Sequence, residues 1–356
     1  MTGLVTRREL LVAGAAAAVA TRSGMAWAGA PVPRTVDVHA HAVLPAFEAV
    51  FARRGSRLVG GVPAPAWSPE GALARMDAQG VGAQVLSVPE PSLTLVGRRE
   101  RATLARLCNE QLAAVVGAHP GRFGGWGVLP MHDPVAALRE LARVRRLGLD
   151  GVVLPTSVDG VYLGDPRLDP VLHALDRVAM PVLVHATPLP DHDRPEQVGL
   201  PDALLEFPFE IVRAATAMMY ASTLTRFRRL RPILADGGGA VPYLSHRTSL
   251  FGLETGLSNF FQRRVSLPPG LDLARVLSWL RFDTAGASMP AQIRSMRELV
   301  PVGQILLGTD WPMTPSVAAG GPPQPELARS LSPEAQSLVR GESARALLPG
   351  LAGRMA

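Results

Sequence analysis

The chain has 356 residues, 47% of them hydrophobic and 19% charged, with a formal charge of +6. That is enough apolar material for a sizeable core and too little charge for a disordered chain. All 36 basic residues are arginine, which excludes a Schiff-base lysine, a Walker A lysine and a carbamylated lysine bridging two metals.

At the amino end, Thr6-Arg7-Arg8-Glu9-Leu10-Leu11 precedes an apolar run from Val12 to Ala20, and Ala26-Trp27-Ala28 supplies small residues in a cleavage pattern. This reads as a twin-arginine export signal over residues 1–28, with a periplasmic or extracellular destination. The run is shorter than the ~20 apolar residues of a permanent membrane anchor. Residues 1–28 hold three arginines against one glutamate, two of the +6, which leaves +4 beyond them.

From Thr35 onward, short β-branched or apolar runs alternate with stretches of helical periodicity. The predicted strands are Thr35–His39, Ala83–Val88, Phe123–Leu129, Gly151–Leu154, Pro181–His185, Pro232–Ala235, Leu280–Asp283 and Gln304–Gly308. The predicted helices are Pro69–Gln79, Arg99–Gly117, Pro134–Leu147, Ala203–Arg229 and Pro290–Val300. Ser68 and Asp133 stand in N-cap positions, each followed by proline at the first turn. Eight alternating units imply parallel strands with helical crossovers, a (β/α)8 TIM barrel. No repeat or flexible linker divides residues 29–356, so they read as one domain with a core over about 35–345. Gly60–Pro69 and Gly320–Pro325 read as loops at the barrel ends. The single cysteine, Cys108, excludes an intrachain disulfide and reads as a small buried hydrophobe on a helix.

The chemistry collects at the carboxyl ends of the predicted strands. His39 and His41 lie two apart, which puts two imidazoles on one side of the pleat. His185 ends the fifth strand and Asp310 follows the eighth. Three imidazoles and a carboxylate converging at one barrel mouth fit a single divalent cation, zinc first and manganese second, with a position open to water or substrate. His119, His132, His173 and His192 lack this placement and read as structural or solvated.

With these residues in order, the sequence resembles the amidohydrolase-related (amidohydrolase 2) family. Within it, the similarity is to the branch of aminocarboxymuconate semialdehyde, γ-resorcylate and methylsalicylate decarboxylases. The motifs that carry it include Met76-Asp77-Ala78-Gln79-Gly80-Val81, His119-Pro120-Gly121-Arg122-Phe123 and Tyr162-Leu163-Gly164-Asp165-Pro166. Glu206-Phe207-Pro208-Phe209, Gly237-Gly238-Gly239-Ala240-Val241-Pro242, Asp283-Thr284-Ala285-Gly286 and Gly308-Thr309-Asp310-Trp311-Pro312 complete the set. The resemblance implies that His39, His41, His185 and Asp310 are mononuclear metal ligands. It also implies that Arg247, eleven residues after Asp236, grips a substrate carboxylate across the interface of a homodimer. A guanidinium suits that task because its planar fork binds carboxylate bidentately; the residue also reads as a surface arginine.

One position departs from the family. Where the family has histidine before the triple glycine, this chain has Asp236. Beside a cation a carboxylate stays ionised, so it accepts protons better than it donates them. Three readings are open: a substitute general base, an additional metal ligand, or the mark of an inactive member. The leading functional reading is nonoxidative decarboxylation of a small aromatic or unsaturated carboxylate, with Asp236 and Asp310 catalytic. Hydrolysis of a lactone, amide or ester is the alternative, and a noncatalytic exported binding protein is the second. Nucleic-acid binding is disfavoured, because the densest arginine runs, Arg143–Arg146 and Arg226–Arg231, fall on or near predicted barrel helices.

Overall fold

Eight strands run parallel and in chain order around the protein. They are β1 (Val36–His41), β2 (Ala83–Ser87), β3 (Phe123–Val128) and β4 (Gly151–Pro155). Then come β5 (Val182–His185), β6 (Ile233–Leu234), β7 (Arg281–Asp283) and β8 (Ile305–Leu306). The ring closes between β8 and β1, where the Val38 amide donates to the Leu307 carbonyl (2.8 Å) and Ala40 bridges Trp311 in parallel. The structure is a computed structural model and describes residues 34–188, 199–253, 276–314 and 321–356. The expected signal at 1–28 and His192 lie outside the described residues. Among those residues no helix is long and apolar enough to cross a membrane.

The helices that cover the barrel are α1 (Pro45–Arg54), α2 (Pro69–Gln79), α3 (Arg101–Ala118), α4 (Pro134–Arg146) and α5 (Asp169–Val178). The set continues with α6 (Glu206–Tyr220), α7 (Val241–Leu253) and α8 (Pro290–Leu299). The expected caps are in place: Ser68 accepts from the Gly71 amide, and Asp133 from the Val135 and Ala136 amides. The helix expected over Ala203–Arg229 is shorter. It ends at Tyr220, and Ser222 turns the chain in left-handed conformation (φ 56°) before a short helical turn, Thr223–Arg226.

The core fills the barrel and the layer beneath the helices. Trp126 is fully buried and donates its indole N–H to the Val38 carbonyl (2.8 Å). Its ring lies where a side chain at Gly151 would begin: a Cβ there would stand 2.2 Å from Trp126 Cζ3. The glycine opening β4 is thus a condition for placing the tryptophan. Cys108 is buried on α3 as expected, and burial pushes its thiol far above the ordinary range.

Two features position the site. Between β1 and β2 the pairing runs Asp37 with Gln84, then Ala40 with Leu86, so β1 carries one extra residue there. Such a bulge re-aims side chains at a strand end. A hairpin of two-residue strands, Leu58–Val59 against Val62–Pro63, folds over the same mouth; it begins before the loop expected at Gly60–Pro69 and takes up that loop's first residues.

Candidate metal centre

β1 runs through His41, so both histidines of the pair belong to the strand itself. His39 and His41 are almost wholly buried, as is His185 at the end of β5. Asp310 stands in a left-handed turn (φ 58°) four residues after β8, and its amide donates to the His39 carbonyl (2.8 Å). One donor atom from each of these four residues lies within 4.8 Å of every other.

Each imidazole is oriented through its Nδ1. That of His39 donates to Asp283 Oδ2 (2.7 Å), and that of His185 to the Ala186 carbonyl (2.8 Å). His41 Nδ1 meets Ser87 Oγ at 2.9 Å. His39 and His41 turn their Nε2 atoms inward, 3.2 Å apart, with Asp310 Oδ1 at 3.5 and 2.9 Å from them. A tetrahedron with bonds of about 2.1 Å has edges of about 3.4 Å, so these separations match the first shell of one cation. Burial, followed by the charges of the two neighbouring imidazoles, holds His185 down at about 3. It is therefore neutral, the form that binds metal. The donor set fits a divalent ion, and the four residues form a divalent-metal site.

Behind the ligands, Asp37 ties the first strand to the last. Its carboxylate accepts from the Thr309 amide (3.0 Å), the Thr309 hydroxyl (2.6 Å), the His39 amide (3.1 Å) and Gln84 Nε2 (3.0 Å). The sequence assigns no role to Asp283, Ser87 or Asp37, although Asp283 opens one of the family motifs. For Asp283 the signal was present, because it ends a predicted strand as His185 does.

Asp236 follows β6 at φ 54°, and Gly237, Gly238 and Gly239 are left-handed as well. The glycines are required by contact: a Cβ at Gly239 would stand 2.0 Å from the Pro208 carbonyl, and one at Gly238 2.5 Å from the Phe282 ring. This packed turn sets Asp236 on the wall of a cavity of about 450 Å³ that also reaches His41, His185 and Asp310. Asp236 is not one of the four clustered ligands. Burial, with the charges of Asp310 and Asp283, pushes its carboxyl up to about 7 against the opposing charge of His39. Apart from Thr314, whose hydroxyl donates to Asp310, the rest of the wall is apolar, with Val59 and Val62 from the hairpin and Pro89, Leu204, Phe207 and Met313. The Phe207 ring stands edge-on to His185, with centroids 6.2 Å apart.

Arg247 lies elsewhere. It is exposed on α7 and is not among the residues lining the cavity. The four remaining described histidines also stand apart: His246 is exposed on α7, His119 caps α3 and packs edge-on to Phe123, and His173 packs against Phe227. His132 is held below its ordinary range by burial and by Arg101 and Arg98.

Residues 36–350 match the family described as Amidohydrolase. The protein belongs to the amidohydrolase family. This amidohydrolase is 29% identical over 290 residues to the 6-methylsalicylic acid decarboxylase of Penicillium expansum, covering 79% of this chain and 85% of that one. It is 28% identical over 301 residues to decarboxylase yanB of Aspergillus niger, covering 79% and 77%. Among solved structures, the 5-carboxyvanillate decarboxylase LigW of Sphingomonas paucimobilis superposes with a TM-score of 0.78 at 22% identity. That match covers 89% of this chain and 99% of LigW, and it supports the fold. A 5-carboxyvanillate decarboxylase of Novosphingobium aromaticivorans, crystallised with manganese, covers 88% and 95%, with a TM-score of 0.72 at 20% identity.

Proposed function

We propose that this amidohydrolase is a metal-dependent decarboxylase that releases CO2 from a small aromatic or unsaturated carboxylic acid without oxidation. The observation that carries this reading is a three-histidine, one-aspartate centre opening into an apolar-walled cavity, in a chain whose named relatives are decarboxylases. Those relatives weigh against ring-opening hydrolysis and against a noncatalytic binder.

His39, His41, His185 and Asp310 hold the cation, which when bound supplies the Lewis acidity that polarises a chelating carboxylate. Zinc suits the nitrogen-rich donor set; manganese is the metal of a solved neighbour. The apolar wall formed by Phe207, Val59 and Val62 keeps water from the ring face. In the reaction the carbon–carboxylate bond breaks, its electron pair stays on carbon, and a proton takes the place of CO2.

Two carboxylates face that carbon's cavity. In Asp310, burial would raise the proton affinity, but the hydrogen bond from His41 and the imidazole charges outweigh it and keep the group ionised. Asp236 stands outside the ligand cluster; burial raises its proton affinity, and a bound cation opposes this by favouring its carboxylate. We assign Asp236 the relay of a solvent proton, passed to carbon by way of Asp310. The test is CO2 release from a hydroxybenzoate panel by protein of confirmed metal content, with lactones and esters run in parallel. Turnover of the benzoates, abolished in Asp310→Asn, which also alters a metal ligand, and reduced in Asp236→Asn at unchanged metal content, is expected. Absence of CO2 across the panel refutes it.

Arg247 is proposed to meet a substrate carboxylate in a homodimer, since it lies outside its own cavity. Light scattering should then give twice the chain mass, and Arg247→Ala should raise KM. Residues 1–28 are proposed to direct export.

A further inference from the structure

In each of the two arginine runs of the sequence one arginine has an acidic partner on the surface. Arg143 pairs with Glu110, and in the second run Arg226 pairs with Asp169 at 2.5 Å. Arg229 donates to the Arg177 carbonyl (3.0 Å). Arg231 has no carboxylate partner among the described residues. Its side chain lines a cavity of about 670 Å³ together with Arg229 and Arg281.

This cavity is at the other end of the barrel from the metal ligands. Its wall includes Pro181, just before β5, and Gly303, just before β8, with Arg281 opening β7. Conserving stability is the usual business of that face in barrels of this kind, yet here the charge is left unbalanced. Three guanidinium groups line the cavity against one carboxylate, Glu342, which already accepts from the Ser337 hydroxyl (2.5 Å). Arg281 Nη1 is buried with no hydrogen-bond partner. A buried donor left unmade costs about 1–3 kcal/mol, more when charged. Burial and then the charge of Arg231 hold the Arg281 guanidinium below its ordinary range, so the two arginines sit close enough to repel. Met180 and Leu347 add an apolar flank.

We propose that the foot of the barrel is a binding site for a small, multiply charged oxyanion, gripped by Arg231 and Arg281. Two planar forks with free N–H groups match the geminal oxygens of a diphosphate or a dicarboxylate. The site is separate from the metal centre and does not depend on the reaction assigned above.

The test is calorimetric titration of the metal-loaded protein with pyrophosphate and, separately, with malonate, against sodium chloride of equal ionic strength. Saturable binding of either anion is expected, and which one binds identifies a phosphoryl or a carboxylate ligand. Arg231→Gln and Arg281→Gln should each weaken it about tenfold or more, the loss of one charge-assisted contact. Arg231 is exposed, so its variant carries the test alone if Arg281→Gln fails to fold. No saturation beyond the chloride control overturns the proposal. So does binding that persists undiminished in Arg231→Gln, which would place the anion elsewhere, including at the metal centre.

Discussion

Replacing Asp283 by asparagine should cost the protein its grip on metal while leaving the barrel folded. Asp283 is fully buried, and both of its oxygens are in use. Oδ2 accepts from His39 Nδ1 at 2.7 Å, and Oδ1 accepts from the Ala285 amide at 3.0 Å. An asparagine of the same shape has one acceptor oxygen, so either His39 or Ala285 faces an NH2 group. Loss of the anionic partner also makes the imidazole a weaker base toward a cation. Removing a carboxylate behind a metal-bound histidine typically lowers affinity about 10- to 100-fold, or roughly 1.4–2.7 kcal/mol. The measurement is a metal dissociation constant by chelator competition, with thermal unfolding of the metal-free variant as a check on folding. An unchanged dissociation constant in a folded Asp283→Asn protein would refute the claim that this carboxylate orients His39.

Gly308→Ala should act on the same pair from behind, because its Cβ would stand 2.9 Å from the Cβ atoms of both His39 and Asp283. Neither neighbour is a flexible end, so a stability loss of about 1–3 kcal/mol is expected in denaturant titration, with weaker metal binding. Gly60→Ala places a Cβ 2.5 Å from Phe207 Cζ and forces a left-handed backbone (φ 56°) on alanine. A melting point lowered by the equivalent of ~1 kcal/mol and an altered KM for aromatic acids should follow, whereas an unaltered KM would remove Phe207 from the substrate wall. Cys108, buried and held in its thiol form, should ignore Ellman's reagent in the native protein and react fully in denaturant. Rapid labelling of the folded chain would contradict the packing of α3.

The barrel was legible because its strands are bounded by glycine or proline and are buried on both faces, which gives continuous apolar runs such as Val182–His185. Strand ends were then enough to find His39, His41, His185 and Asp310. Other features depend on the third dimension. The extra residue in β1 depends on pairing with β2. The hairpin of two-residue strands at Leu58–Pro63 is too short to show a period. Apolar spacing continues past Tyr220 while the backbone turns at Ser222, so one long helix was expected where two pieces form. Asp283 was passed over because a carboxylate at a strand end that binds no metal directly looks like part of a turn. Arg247 was placed by resemblance alone, and it is exposed on α7, away from the residues that line its own cavity.

The closure of the barrel has a consequence for when the centre comes into being. Asp37 and Thr309 are hydrogen-bonded across 272 residues of chain, and the histidine pair and Asp310 sit on either side of that seam. On a ribosome the histidines emerge first, and their carboxylate partner follows only after the eighth strand. Until then three imidazoles have no anionic fourth member, and the first strand has an open edge. Metal capture and ring closure are therefore one late event in the life of the chain, and a nascent protein stalled before Asp310 should neither retain a cation nor resist proteolysis.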